Sequence, residues 1–285
     1  MLSRYLLLAA GLLAAVSLDP ALAKDRGDFL NDRGETGPAR LSVLYVVSEG
    51  WAHHDQDGQP VGVAIELMQR FAGWAEAEHG IALELDFEQE SDWPVFYRRV
   101  RDASGGVFGL GNVTITEARR EELAFSPPYV NNVAVLISHA DDGQLEQVGQ
   151  LSDVFAGQRA MAFAGTLHET RLRALAEAGW PDLPMDFSRS NDEILANAAA
   201  GSHFAYIDGY NYYRAVERGL PLQRHPAFDD PGETFGIIMP LNNDWQPLVE
   251  AFFAAENGVI GQAWYRDSLQ RHLGHEIAGL LAPLP

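Results

Sequence analysis

The chain has 285 residues, enough to bury a sizeable core, and no cysteine, so neither a disulfide nor a lipid anchor on an N-terminal cysteine is available. Its 40 acidic and 20 basic residues give a formal net charge of −20. That balance disfavours nucleic acid and anionic membrane surfaces as partners, because phosphate contacts need a surplus of Lys and Arg.

At the start of the chain, Arg4 precedes an apolar run over residues 5–18, and Ala21 and Ala23 offer the small residues that a signal peptidase reads. This predicts a signal peptide cleaved near Ala23, a mature chain from about Lys24 and export to the periplasm. The run is shorter than the ~20 apolar residues that a membrane span needs. Residues 24–40 are polar and without period, and read as a flexible leader.

Residues 41–47 form an apolar run suited to a strand buried on both faces. Ile65, Leu67, Met68, Phe71 and Ala75 then recur at helical spacing, and Leu83, Leu85 and Phe87 alternate with acids as in a strand with one wet face. Residues 107–116 are a Gly-rich strand leading into a loop, and Thr116 is placed to cap a short helix. Further strands are expected at 133–137, 160–163, 204–207 and 235–239. Capping boxes at Thr166–Glu169 and Ser190–Glu193 open two helices, and two more run over 245–255 and 260–273. Strands alternating with helices make the class α/β with largely parallel sheets. One βαβ block precedes Val133 and a second lies between Ala160 and Ile207. We therefore expect two lobes, 41–132 with 236–285 and 133–235, joined by two crossing strands, with a small-molecule cleft between them.

Two helix starts carry candidate chemistry. Thr114, Thr116 and Arg119 gather hydroxyls and a guanidinium where a strand ends, and helix N-termini attract anions. Gly165, Thr166 and Leu167 form a similar end in the second block. The alternative for Arg119 is a surface ion pair with Glu122. His53, His54, Asp55 and Asp57 could ligate a metal but sit on a turn, and read as a solvated loop. His168 is either at the cleft or on a surface helix start. Tyr210, Tyr212 and Tyr213 form an aromatic cluster, at least two of them read as packing. No nucleophile elbow, phosphate loop or HExxH is present, and no cofactor or metal is expected.

Residues 62–67 (GVAIEL) resemble the "GFDVDLA" helix start of family 3 solute-binding proteins, and residues 114–129 (TITEARREELAFSPPY) resemble that family's "TITxERxxxVDFSxPY" signature. Gly165-Thr166, residues 204–208 and residues 233–239 match its further landmarks. The resemblance spans about 41–274. It implies the two-lobed type II periplasmic-binding-protein fold, and a monomeric receptor that delivers a small carboxylate-bearing ligand, a polar amino acid, to a membrane ABC permease. It further implies that Arg119 and Thr114 hold the ligand carboxylate from one lobe and the Thr166–Leu167 backbone from the other. Asp208 takes the ammonium, and Trp51 forms an aromatic wall. Departures are Leu167 for a hydroxyl residue, Asn112 for a small residue, and Val107 for Asp. Asp208 also falls one residue early relative to Ala205, which leaves open whether Asp208 or Gly209 faces the ligand. Two other functions compete on this fold: a cyclohexadienyl dehydratase-like enzyme, and a partner that presents ligand to a membrane sensor. The turn at Gly165 lacks the dehydratases' Asn-rich form, and no acid is obviously placed for general catalysis.

Overall fold

The computed structural model describes residues 25–32, 37–255 and 258–281. The expected signal peptide lies outside the described residues. A ten-stranded sheet runs through the chain. It includes β1 (Ala39–Tyr45), β4 (Leu83–Gln89), β5 (Val107–Thr114), β7 (Val130–His139), β8 (Arg159–Phe163), β9 (Met185–Ser188), β10 (His203–Asp208) and β12 (Asp230–Pro240). Their order is β4-β1-β5-β12-β7-β10-β8-β9, with β6 (Leu123–Phe125) on β12 and β11 (Leu222–Arg224) on β7. β2 (His53–His54) and β3 (Pro60–Val61) form a separate hairpin.

The first lobe pairs β4, β1 and β5 in parallel, as βαβ units require. Leu41, Val43 and Tyr45 of β1 pack under α1 (Val63–His79), α8 (Gln246–Ala254) and α9 (Ala263–Leu273). Leu44 points the other way, into a cluster with Phe96 and Val100 of α2 (Trp93–Asp102). The second lobe repeats the plan. Phe204 and Tyr206 of β10 join Leu172 of α5 (Leu167–Gly179), while Ala205 and Ile207 join Ile194 and Ala198 of α6 (Asn191–Ala199) and Ala215 of α7 (Gly209–Glu217). Burial on both faces explains why these strands read as continuous apolar runs.

The connection between lobes is the antiparallel pairing of β7 with β12, from Val130↔Phe235 to Ala134↔Asp230. Beyond it, Phe235 to Pro240 of β12 pair with β5 and β6 of the first lobe. Both crossing strands begin earlier than their apolar runs suggested, at Val130 and Asp230 rather than 133 and 235. Their early residues include the polar Asn131, Asn132, Asp230 and Glu233, which an apolar run does not mark, and Glu233 lines the cleft. A last helix, α10 (His275–Leu281), follows α9 and touches α7 and β7.

The reading of a flexible leader is corrected for residues 25–32. The Leu30 and Asn31 N–H groups donate to Asp244, Trp245 donates its indole N–H to the Asp28 carbonyl at 2.8 Å, and Arg99 donates to both oxygens of Asp25. Polar residues without periodicity are thus fixed by long-range hydrogen bonds that no local pattern reveals. α2 and α7 were also absent from the sequence expectations. α2 has a recoverable signal: Asp92 caps it, accepting from the Val95 N–H at 3.0 Å, and Pro94 sits in its first turn.

Candidate functional site

β5 ends at Thr114, and Thr116 caps the four-residue helix α3 (Glu117–Arg120) by accepting from the Arg119 N–H at 3.2 Å. This short turn folds Arg119 back over the strand end, where its Nη1 donates to the Thr114 carbonyl at 2.9 Å. The guanidinium lies 5.3 Å from the Trp93 ring centre and 5.8 Å from that of Tyr97, and these two rings stack 5.4 Å apart. Among the described residues no carboxylate pairs with Arg119. Glu122, the alternative partner, accepts from the Tyr97 hydroxyl instead. Burial draws the Arg119 pKa below its ordinary value, with Tyr97 and Glu233 opposing that trend. A half-desolvated cation without an acid is a prepared seat for an anion.

Arg119 opens into a cavity of about 500 Å³ between the lobes, lined also by Thr114, Asn112, Trp93, Thr166, Leu167 and Asp208. On the second lobe, Gly165 turns with φ of 77°, and the Thr166 hydroxyl accepts from the His168 N–H at 3.2 Å and donates to the Phe163 carbonyl. Leu167, the first residue of α5, lines the same space, and its N–H has no carbonyl partner within the helix. A Cβ on Gly165 would come within 2.9 Å of Pro94, so the starts of α2 and α5 lie close together.

Asp208 ends β10 on the cavity wall, and His168 stands beside it with Nε2 3.4 Å away. Asn132, on β7, donates to Asp208 at 2.7 Å and to Glu233 at 2.8 Å. Glu233, on β12, is buried and ion-paired with Arg171, which also donates to Asp230 at 2.8 Å. An acidic cluster of Asp208, Asp230 and Glu233 therefore stands at the crossing, next to the cavity, with Arg171 of α5 ion-paired to Asp230 and Glu233. Glu233 and Asn132 were not anticipated, because they come from strand ends that meet only in the folded chain.

Two expected site residues have other roles. Trp51 is 1% exposed and packs in the first lobe's core against Tyr129 and Tyr210, with ring centres 6.0 and 5.6 Å away. The reading of Trp51 as the aromatic wall is corrected: the loop folds back on itself, with the Ser48 N–H donating to Ala52, and turns the indole inward. Trp93 supplies the aromatic surface instead. Asn112 does line the cavity, with a φ of 49° that Asn tolerates. Its amide is occupied, however, donating to Tyr210 at 2.9 Å and accepting from Tyr129 at 3.0 Å. It ties α7 to the first lobe. The other candidates resolve as structure. His54 meets the Tyr45 hydroxyl at 2.8 Å, His53 faces His272, and Asp55 closes its own turn by accepting from the Asp57 and Gln59 N–H groups. Of the tyrosines, Tyr210 is buried, whereas Tyr212 and Tyr213 are partly exposed.

Further contacts join the lobes at the rim. Glu49, after β1, pairs with Arg214 of α7 and with Arg218 just past its end, and Asp92 pairs with Arg189 at 2.9 Å. These contacts hold the lobes together beside the cavity, whose lining is drawn from both lobes.

Solved structures with this fold include an ancestral arginine-binding protein bound to arginine, with 16% identity over 82% of this chain and 98% of that one and a TM-score of 0.66. A putative L-cystine ABC transporter from Listeria monocytogenes aligns at 12% identity over 83% and 97%, with a TM-score of 0.67. An ABC uptake transporter substrate-binding protein from Streptococcus pneumoniae with bound histidine aligns at 17% identity over 84% and 94%, with a TM-score of 0.64. These likenesses establish the two-lobed type II architecture. No functionally curated protein matches the chain by sequence. The sequence profile of one family matches residues 47–259, which hold both crossing strands and the cavity-lining residues named above. The chain belongs to the bacterial extracellular solute-binding proteins, family 3.

Proposed function

We propose that this protein is a periplasmic receptor that closes around a small amino acid and presents it to a membrane ABC permease. The observation that carries the reading is Arg119: a guanidinium on the cleft wall with no acid partner among the described residues, across from the start of α5. A ligand carboxylate would complete both, taking a two-pronged contact from Arg119 and the N–H of Leu167 at the start of α5. Asp208 would receive the ammonium, and Thr114 would join Arg119 at the carboxylate. Amino acids in the structural neighbours support this choice of ligand class.

A second reading has one observation in its favour. His168 and Asp208 form a titratable pair on the cavity wall, as a dehydratase acting on a carboxylate substrate would need. We read the pair as a binding element and the protein as non-catalytic, in keeping with a family of binding proteins. A thermal-shift screen of amino acids, small carboxylates, prephenate and arogenate separates the two. Ligand at 100 times its Kd should add about 2.7 kcal/mol of stability. The proposal expects such a shift from one or more amino acids and no consumption of prephenate or arogenate. Turnover of either compound would overturn it in favour of the enzyme.

A further inference from the structure

His168 and Arg171 share one face of α5 at its first turn, and His168 lines the cavity. Each guanidinium nitrogen of Arg171 has a partner. Nε donates to Asp230 at 2.8 Å, Nη2 donates to Glu233, and Nη1 stands 3.4 Å from His168 Nδ1. A guanidinium has donors and no acceptor, so Nδ1 is the acceptor in this contact. In a neutral imidazole one nitrogen accepts and the other carries the proton, which places the His168 proton on Nε2. Nε2 stands 3.4 Å from Asp208 Oδ1. The His168 side chain is buried, which leaves little room for water to replace either contact.

These contacts close a ring. It passes from Asp208 Oδ1 through the Asn132 amide to Glu233, on through Arg171 to His168, and back to Oδ1. Asn132 and Glu233 belong to the crossing strands β7 and β12, Asp208 ends β10, and Arg171 and His168 stand on α5. Both groups that reach Asp208, the Asn132 amide and the His168 ring, meet the same oxygen. Among the described residues no hydrogen bond or ion pair reaches Oδ2. A carboxylate oriented through one oxygen keeps the other as a free acceptor, and Asp208 is on the cavity wall.

We propose that His168 is a positioning residue for the ammonium seat: its Nε2 proton, fixed there by Arg171, holds Asp208 through Oδ1 and leaves Oδ2 for the ligand's ammonium. The inference rests on the proposed binding function, in which Asp208 receives that ammonium. It gives His168 a role other than proton exchange, because a nitrogen that accepts from a guanidinium cannot take up a proton without losing that contact.

Two measurements test it, the first without any ligand. Nitrogen NMR of the histidine rings at about pH 8.5, well above the ordinary histidine pKa of about 6.5, reads the tautomer, and His168→Gln identifies the signal by its loss. The proton should be on Nε2. A proton on Nδ1, or exchange between the two tautomers, overturns the inference. The second is isothermal titration with L-arginine, L-glutamine and L-histidine and with the des-amino counterpart of each. In the wild type an amino acid should bind more tightly than its des-amino counterpart. His168→Phe keeps a ring but loses the donor, and should lower that preference about tenfold, as for a lost hydrogen bond to a charged group. His168→Gln, whose amide can donate, should restore part of it. If His168 only packs at the start of α5, both ligand types change together and the preference is unmoved, which overturns the inference while leaving the binding function standing. Equal wild-type affinities for an amino acid and its des-amino counterpart do the same. If none of the three amino acids binds, the amino-acid reading fails and this inference with it.

Discussion

Asp208 shows how one position carries two demands. Its carboxylate accepts from Asn132 at 2.7 Å and lies 3.4 Å from His168, so part of its hydrogen-bonding capacity is spent inside the crossing-strand cluster. The rest faces the cavity. If that remainder holds a ligand ammonium, Asp208→Asn should weaken amino acids while sparing their des-amino analogues, by about 2–3 kcal/mol or roughly 30- to 150-fold in Kd for a lost charge-assisted contact. Titrating both ligand types into the variant checks this. Equal losses for both would mean that Asp208 acts only through Asn132 and the hinge. The sequence offset between Ala205 and Asp208 left two orientations open because strand periodicity cannot say where β10 ends. The helix α7 begins at Gly209, and that boundary leaves Asp208 on the wall. Thr114, Arg119 and Thr166 were legible for a different reason. Each stands next to a helix start written in local sequence, a Thr cap followed by a short helix. Trp51 was not, since an aromatic residue in a loop packs inward or outward according to a backbone fold that the pattern does not encode.

Among the elements, the second lobe is tied together by a histidine outside the cleft. His225 follows β11 and is fully buried; its ring meets the Ser138 hydroxyl of β7 at 2.9 Å and accepts from the Leu145 N–H at 3.0 Å. Burial pushes its pKa down to about 4, against a smaller opposing pull from Asp142. The unfolded chain binds this proton near pH 6.5, whereas the folded chain does so only near 4. The stability that depends on a neutral His225 is therefore intact above about pH 6.5 and is lost as the pH falls towards 4. Urea unfolding should show about 1 kcal/mol less stability from this group at pH 5.5 than at pH 7. An NMR titration that finds the ring protonating at or above pH 6.5 in the folded protein would contradict this. The elements themselves were mostly readable. Phe204 and Tyr206 alternate with Ala205 and Ile207 between two helical layers, and the Thr166 and Ser190 caps stand where their spacing put them. α7 escaped notice because its inward face carries Arg214, which looks like a solvent-facing residue until Glu49 arrives from the other lobe.

Taken as a whole, the molecule is two α/β lobes on a continuous sheet, joined where β7 passes β12. The order of elements and the return of the C-terminal helices to the first lobe are sequence properties, and the architecture was legible from them. The charged cluster at the crossing was not. Asn132, Arg171, Asp208, Asp230 and Glu233 are separated by up to about a hundred positions and meet only through the topology. The central claim, a cleft built to hold a carboxylate between the lobes, rests most directly on Arg119, and the measurement that tests it is calorimetric titration of the best thermal-shift ligand into wild type and Arg119→Ala. Arg119 makes no ion pair among the described residues, so the variant should fold normally, yet lose about 2–5 kcal/mol of binding, roughly 30- to several-thousand-fold in affinity. Arg119→Lys should recover only part of that, since a point charge does not replace a planar fork. Arg120→Ala, whose guanidinium lies over Phe125 instead, should bind as wild type does. Equal affinities for wild type and Arg119→Ala would contradict the account.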